Sequence, residues 1–286
     1  MKRYKNNKRF IISSKLIFKK IFEGFSMVEF DFESVMDDDA HINPLDMELL
    51  SQEAGGYISA NKNIFNNLKP LSDNARTILK ESVKGTPMIK IGNGYPRLMI
   101  VSGIHGNELA PQVASLKLID VLLKLKLRGT VYIIPFACPY ASMMSNRYFK
   151  GTDLNRTAHI QNSISNVILS KAKELGVSAI GDFHSTAPNT NPGKEGVFCS
   201  KSPTVESVSI ASYISRSAGS NMIVYPAAGV PFKGAVEDEA NLGGIPSVTC
   251  EVLSATSFAN ERICNRALVQ MKSFLHYFGI FDEYMV

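Results

Sequence analysis

No stretch of this chain approaches the roughly 20 consecutive apolar residues that a bilayer-crossing helix needs, which excludes a transmembrane helix of ordinary length. Cysteine is scarce. Cys138, Cys199, Cys250 and Cys264 are widely spaced and form no CxxC pair. That excludes a thiolate zinc finger and a disulfide framework, and it suits a reducing, cytoplasmic compartment. A secretory leader is also missing in good form. The chain opens MKRYKNNKRFIISSKLIFKKIF, where Lys15 interrupts the only apolar stretch. A signal sequence needs an apolar core of about 7 to 15 residues followed by a small-residue cleavage site. No internal repeat and no low-complexity tract occurs.

What is present is ordinary globular composition. The 286 residues are 45% hydrophobic and 20% charged, enough for one large domain with appendages or two modest domains. The net charge of +5 misleads until it is divided along the chain. Residues 1–26 carry eight Lys or Arg against Glu23 alone, a local net of +7, which leaves the rest at −2. The basic balance belongs to a tail, so nucleic-acid binding by the folded body is not expected. Three readings stand for that tail: a solvated extension, a basic anchor making weak contact with an anionic membrane surface, or residues preceding a start at Met27. Residues 27–53 then hold nine Asp or Glu and no Lys or Arg. Gly55-Gly56 and Lys69-Pro70 punctuate the passage to the body. The expected division is therefore a basic tail (1–26), an acidic extension (27–74) and a folded body (75–286).

From about residue 75 the pattern alternates between strand and helix. Arg97 to Val101 is the short apolar run of a strand covered on both faces. Asn107 to Leu127 has apolar residues at helical spacing, with Gly129 marking its end. Further strands are expected at Thr130–Phe136, Val177–Phe183, Val197–Cys199 and Ser247–Val252. Further helices are expected at Ile164–Leu175, Thr204–Ala218 and Phe258–Phe278. Strands separated by helices of this length predict an α/β body around a mixed, largely parallel sheet.

Ligands in such sheets gather beyond the carboxyl ends of the strands. After Arg97–Val101 comes SGIHGNE, which places His105 and Glu108 three residues apart at a strand-to-helix turn. Gly103 and Gly106 flank the histidine and permit tight backbone there. DFHST, after the strand ending at Phe183, supplies His184. Two imidazoles and one carboxylate match the open three-ligand set of a catalytic zinc site. Asp182 shares the face of His184 on an extended segment and can accept its second ring N–H. Taken singly, a histidine near a strand end is more often a satisfied polar residue than a ligand, and His41, His159 and His276 are read that way. Arg147, Asn155 and Arg156 cluster in ACPYASMMSNRYFKGTDLNR, residue types suited to binding a carboxylate. Glu251 stands within the apolar strand SVTCEV. A buried carboxylate there asks for a reason, and a general base beside a metal provides one.

GIHGNE, NRYFKGTDLNR, DFHST and the Glu of SVTCEV, in this order, resemble the zinc carboxypeptidase superfamily, and most closely its succinylglutamate desuccinylase and aspartoacylase branch. The resemblance spans roughly Leu98 to Val252 and implies a three-layer α/β/α sandwich. It implies one Zn2+ per chain on His105, Glu108 and His184, with Glu251 activating water. Asn155 and Arg156 would bind the substrate carboxylate, and Arg147 would polarise the scissile carbonyl. The activity implied is hydrolysis of an amide bond next to a free carboxylate, in an N-acyl amino acid or at a peptide C-terminus. An inactive zinc-binding or partner-docking domain is the alternative. The branch usually carries a further C-terminal β domain, which the 35 residues after Glu251 are too few to build. An open, peptidase-like cleft is therefore expected. The carboxypeptidases also share an active-site Tyr, for which Tyr213 and Tyr225 lie in the right interval.

Overall fold

The computed structural model describes residues 45–230 and 232–282; the basic tail and the first part of the acidic extension lie outside them. The strands are β1 (Asp46–Leu49), β2 (Pro87–Asn93), β3 (Arg97–Ser102), β4 (Gly129–Ile134), β5 (Ala179–Thr186), β6 (Gly196–Ser200), β7 (Asn221–Tyr225) and β8 (Ser247–Leu253). The helices are α1 (Lys62–Asn67), α2 (Asp73–Glu81), α3 (Leu109–Leu122), α4 (Pro139–Met143), α5 (Ile164–Glu174), α6 (Glu206–Ala218), α7 (Val236–Leu242) and α8 (Glu261–Tyr277). All eight strands form one sheet in the order β1-β2-β4-β3-β5-β8-β6-β7. Its centre, β4-β3-β5-β8, is parallel. β1 and β2 join antiparallel at one side, while β6 runs antiparallel to β8 and parallel to β7 at the other.

Side chains alternate across the sheet and so build two cores. Leu98 and Ile100 of β3, with Val131 and Ile133 of β4, enter one core, whereas Met99, Val101, Tyr132 and Ile134 enter the other. Both faces are apolar, which is why these strands read as unbroken hydrophobic runs. Leu116 and Ile119 of α3, Ile210 and Ile214 of α6, and Met271 and Phe274 of α8 close the first core. Ile168 and Leu169 of α5 and Val236 and Ala240 of α7 close the second. The expected three-layer sandwich is found. Helix α3 is apolar nearly all round because it is buried nearly all round.

Local chemistry moves several boundaries from those the sequence suggests. Glu108 keeps non-helical angles (φ −100°, ψ 82°), so α3 starts at Leu109. The chain leaves the helix at Leu122, and Gly129 (φ +115°) opens β4 instead of closing a helix. β5 runs on to Thr186, which puts His184 inside the strand. α8 waits for Asn260, whose side chain accepts from the Ile263 N–H at 2.9 Å. Strands β1, β2 and β7 were not anticipated. β1 lies within the acidic extension and pairs with β2, and Ile58 and Ile64 from the same stretch are fully buried in the first core. All four cysteines are buried. Burial pushes the thiols of Cys138 and Cys199 up to about 12, that of Cys264 to about 11, and that of Cys250 well above its ordinary value.

Candidate active site and metal centre

Between β3 and α3 the backbone must turn sharply and still pass close to α4. Gly103 meets the first demand with φ +73°. Gly106 meets the second, since a Cβ there would lie 2.0 Å from the Ala141 carbonyl carbon. This turn carries His105 and Glu108 to the carboxyl end of β3, beside His184 from neighbouring β5. The three side chains are buried, and their donor atoms all lie within 4.8 Å of one another.

Glu108 is the centre of the group. His105 Nδ1 lies 2.8 Å from its Oε1, and His184 Nδ1 lies 2.7 Å from its Oε2. The Ser185 N–H also donates to Oε2 at 3.1 Å. Each imidazole turns its other nitrogen to a further carboxylate. His105 Nε2 is 2.9 Å from Asp153 Oδ1, and His184 Nε2 is 2.9 Å from the fully buried Asp182 Oδ2. The Asp182 contact is a close ion pair, buried from solvent on both sides. Arg147 braces the group, donating from Nη1 to Glu108 Oε1 at 3.2 Å and from Nη2 to Asp153 Oδ2 at 3.1 Å.

The electrostatics follow from this packing. Burial alone would raise the Glu108 carboxyl, but the charges of His105 and His184 and their hydrogen bonds hold it well below the usual carboxylate range. Burial opposes the charged form of Asp153 too, and there the hydrogen bond and charge of His105, then Arg147, prevail and lower it. Burial would lower His184, yet Asp182 and then Glu108 raise it well above its ordinary value. Three carboxylates surrounding two imidazoles make a buried setting that favours positive charge. Two ring nitrogens and one carboxylate, each imidazole steadied from behind by an acid, fit a divalent zinc ion.

Glu251 comes from β8, in register with His184 across the parallel β5–β8 pairing. Its Oε2 is buried with no hydrogen-bond partner among the described residues. Burial, and then the charge of Glu108, push its carboxyl up to about 8. These groups open on a cavity of about 380 Å³, which Asn155 and Arg156 also line. Asn155 Nδ2 lies 3.4 Å from His184 Nε2, and its Oδ1 accepts from the Val236 N–H at 2.9 Å. The Arg156 guanidinium lies over the Phe232 ring, 5.4 Å from its centroid.

The fold thus gathers His105, Glu108, Arg147, Asn155, Arg156, His184 and Glu251 on one cavity, with Asp182 behind His184. Two further acids belong to the same region. Asp153 stands in the TDLNR segment that supplied Asn155 and Arg156, and its place there was the available signal. Glu237 lines the cavity from α7, where VEDEAN reads as ordinary first-turn acids, and nothing in the sequence singles it out. Of the two candidate tyrosines, Tyr213 hydrogen-bonds His276. Tyr225 packs instead against Phe198 and Phe232, which line the cavity.

Comparison with known proteins follows the same lines. Among solved structures, the chain resembles a succinylglutamate desuccinylase from Silicibacter sp. with TM-score 0.58 and 19% identity, covering 72% of this chain and 65% of that one. It resembles the product-bound ectoine utilization protein of Ruegeria pomeroyi with TM-score 0.59 and 17% identity, covering 72% and 65%. It also resembles a metallo-carboxypeptidase from Burkholderia cenocepacia with TM-score 0.55 and 12% identity, covering 82% and 64%. The chain therefore spans under two thirds of the length of these structures, and at such identities the likeness concerns the fold. No curated protein matches the sequence. The family described as the succinylglutamate desuccinylase/aspartoacylase catalytic domain matches residues 94–277, which holds every one of the site residues above. By that match the chain belongs to the succinylglutamate desuccinylase/aspartoacylase catalytic-domain family.

Proposed function

We propose that this protein hydrolyses an amide bond adjacent to a free carboxylate, using one zinc ion per chain. The carrying observation is that His105, Glu108 and His184 converge beside Glu251 on a cavity whose wall also presents Asn155 and Arg156. In this reading His105, Glu108 and His184 would hold the ion, the imidazoles turning their Nδ1 atoms toward Glu108. Zinc so held would act as a Lewis acid and lower the pKa of water toward about 7.

The chain's own residues do the rest. Asp153 and Asp182 fix the two imidazoles from behind, so their orientation does not depend on the substrate. Glu251, poised near working pH, takes a proton from the attacking water and returns it to the leaving amine. Arg147 offers its guanidinium to the carbonyl oxygen as negative charge develops there, already held in place by Glu108 and Asp153. Arg156 grips the substrate carboxylate by two parallel charge-assisted hydrogen bonds, with the Asn155 amide beside it. Both an N-acyl amino acid and the C-terminus of a peptide present that carboxylate. Catalysis resides in the folded body, and the basic tail is dispensable to it.

The test is a screen of the purified, zinc-supplied protein against N-acyl amino acids and short peptides. Turnover of one class fixes the substrate type. Metal binding with turnover of neither would leave a metal-binding or docking domain and overturn the enzymatic reading.

A further inference from the structure

One wall of the cavity carries an acid for which the proposed reaction has no use. Glu237, near the start of α7, is only 3% exposed and lines the cavity. Its Oε1 accepts from Asn241 Nδ2 at 2.7 Å. Asn241 is itself anchored, accepting from the Ser207 hydroxyl at 2.6 Å and the Ser247 N–H at 3.1 Å. The side chain of Glu237 is therefore held, not loose. Beside it, Asp238 is fully buried; its Oδ2 accepts from the Phe232 N–H at 3.2 Å, and its Oδ1 has no hydrogen-bond partner among the described residues. No lysine, arginine or histidine forms an ion pair with either acid among the described residues. Burial, then the charge of Asp238 and a hydrogen bond with it, then the charge of Asp182, raise the Glu237 carboxyl well above its usual range against the smaller opposing pull of the Asn241 hydrogen bond. The two acids thus hold a proton where a cation is lacking. A buried acid without a cation is costly, and a positive group entering the cavity would relieve that cost.

The position of the acid says which part of a substrate it meets. Asn155 receives the Val236 N–H, so α7 begins against the residue placed at the substrate carboxylate. A carboxylate held by Arg156 and Asn155 therefore leaves the side chain of the same amino acid to the adjoining wall. That wall consists of Glu237 with Phe198 and Phe232, whose rings meet edge to face at 6.1 Å. Arg156 covers one face of Phe232, and the remaining aromatic surface suits the methylene stem of a long side chain, whose charged end the acid accepts.

We propose that Glu237 selects substrates whose carboxylate-bearing residue has a long cationic side chain, of the lysine or ornithine kind. The proposal rests on the amide-hydrolase reading and narrows its substrate class. Because it concerns binding of the product amino acid, it can be tested without turnover. Calorimetric titration of the zinc-loaded full chain with L-lysine and with L-norleucine, which lacks only the terminal ammonium, reads the preference directly. Wild type should bind lysine at least about tenfold more tightly, the size expected for a charge pair formed in a partly desolvated site. Glu237→Gln keeps an oxygen for Asn241 but loses the charge, and should reduce the lysine-to-norleucine ratio by about tenfold. Lysine binding at neutral pH should also release more protons to the buffer than norleucine binding, since the raised carboxyl ionises as the ammonium arrives. Equal affinity for the two amino acids in wild type would overturn the proposal. So would an unchanged ratio in the variant, and either result would leave the hydrolase reading standing. Binding of neither amino acid would likewise overturn the proposal, while the turnover screen alone decides the hydrolase reading.

Discussion

His184 and Glu251 sit opposite one another in the parallel β5–β8 pairing, so an imidazole of the candidate metal site and a carboxyl whose Oε2 has no hydrogen-bond partner among the described residues project from adjacent strands at one level of the sheet. The spacing is set by the hydrogen-bond ladder, with no flexible loop intervening. Glu251→Gln should therefore leave the fold and the metal in place while removing the proton acceptor. A general base contributes about 10² to 10⁴ in rate, and kcat measured alongside zinc content should fall by that factor. A variant that turned over substrate at the wild-type rate would make Glu251 purely structural.

The same carboxyl gives the metal-free protein a pH signature. It titrates near 4.5 when unfolded and at about 8 when folded. Between those values the folded state keeps a proton that the unfolded state has released, so stability falls as pH rises through this window. Glutamine carries no such proton. The Tm of metal-free Glu251→Gln, relative to wild type, should match at about pH 4, climb up to about pH 8 and then level off. A difference that does not vary with pH would place the raised pKa elsewhere.

Metal retention should depend on residues in contact with the imidazoles as well as on the imidazoles themselves. Wild type should hold about one equivalent of zinc, and His184→Ala should lose most of it. Asp153→Asn leaves every proposed ligand intact but weakens the grip on His105 Nε2 and on Arg147. Loss of such a supporting acid typically costs about 10- to 100-fold in metal affinity, measurable by chelator competition. Unchanged affinity would mean that Glu108 alone orients His105.

Arg156→Ala tests the carboxylate contact. Removing one partner of such a pair costs on the order of 2 to 5 kcal/mol, which is roughly 30-fold or more in kcat/KM. Arg156→Lys should recover little, because a point charge cannot reproduce the planar fork. With the substrate carboxylate amidated, wild type should become slow and the penalty should largely vanish. An equal penalty on acid and amide would show that Arg156 supports the site without reading the carboxylate.

Removal of residues 1–26 should leave zinc content and turnover unchanged, since every site residue lies beyond Leu98. It should also abolish salt-sensitive adsorption to anionic vesicles, because the remaining chain is slightly acidic. Adsorption that persists would locate the basic surface in the body.

Residues whose chemistry conflicts with their surroundings were the ones the sequence displayed. Glu251 in an apolar strand and His105 between two glycines stand out because such placements are costly without a purpose. The parallel centre of the sheet was equally readable, since strands buried on both faces leave unbroken apolar runs. The peripheral strands were harder to read. β1 reads DMEL, with alternating exposure at the sheet's rim and no continuous run, whereas β7 carries the short run MIVY directly after a helix and is only half buried at the other rim. Glu237 was hidden for a related reason. An acid in the first turn of a helix is commonplace, and only the packing of α7 against Asn155 and β8 turns it into a buried group at a cavity wall.

The four buried thiols make the molecule its own reporter of opening. They are distributed over distinct parts of the fold: Cys138 just before α4, Cys199 on β6, Cys250 on β8 and Cys264 on α8. Each is shielded from solvent and scarcely ionised at neutral pH, so a thiol reagent has nothing to attack while the sandwich is closed. Modification must then follow the rate or the population of whichever opening uncovers each sulfur. Labelling that reaches all four together marks opening of the whole body, and labelling that reaches Cys138 first marks loosening beside the Gly106 turn. Because none of the proposed metal ligands is a cysteine, the same labelling with and without zinc measures how far the ion holds β3 and β5 together.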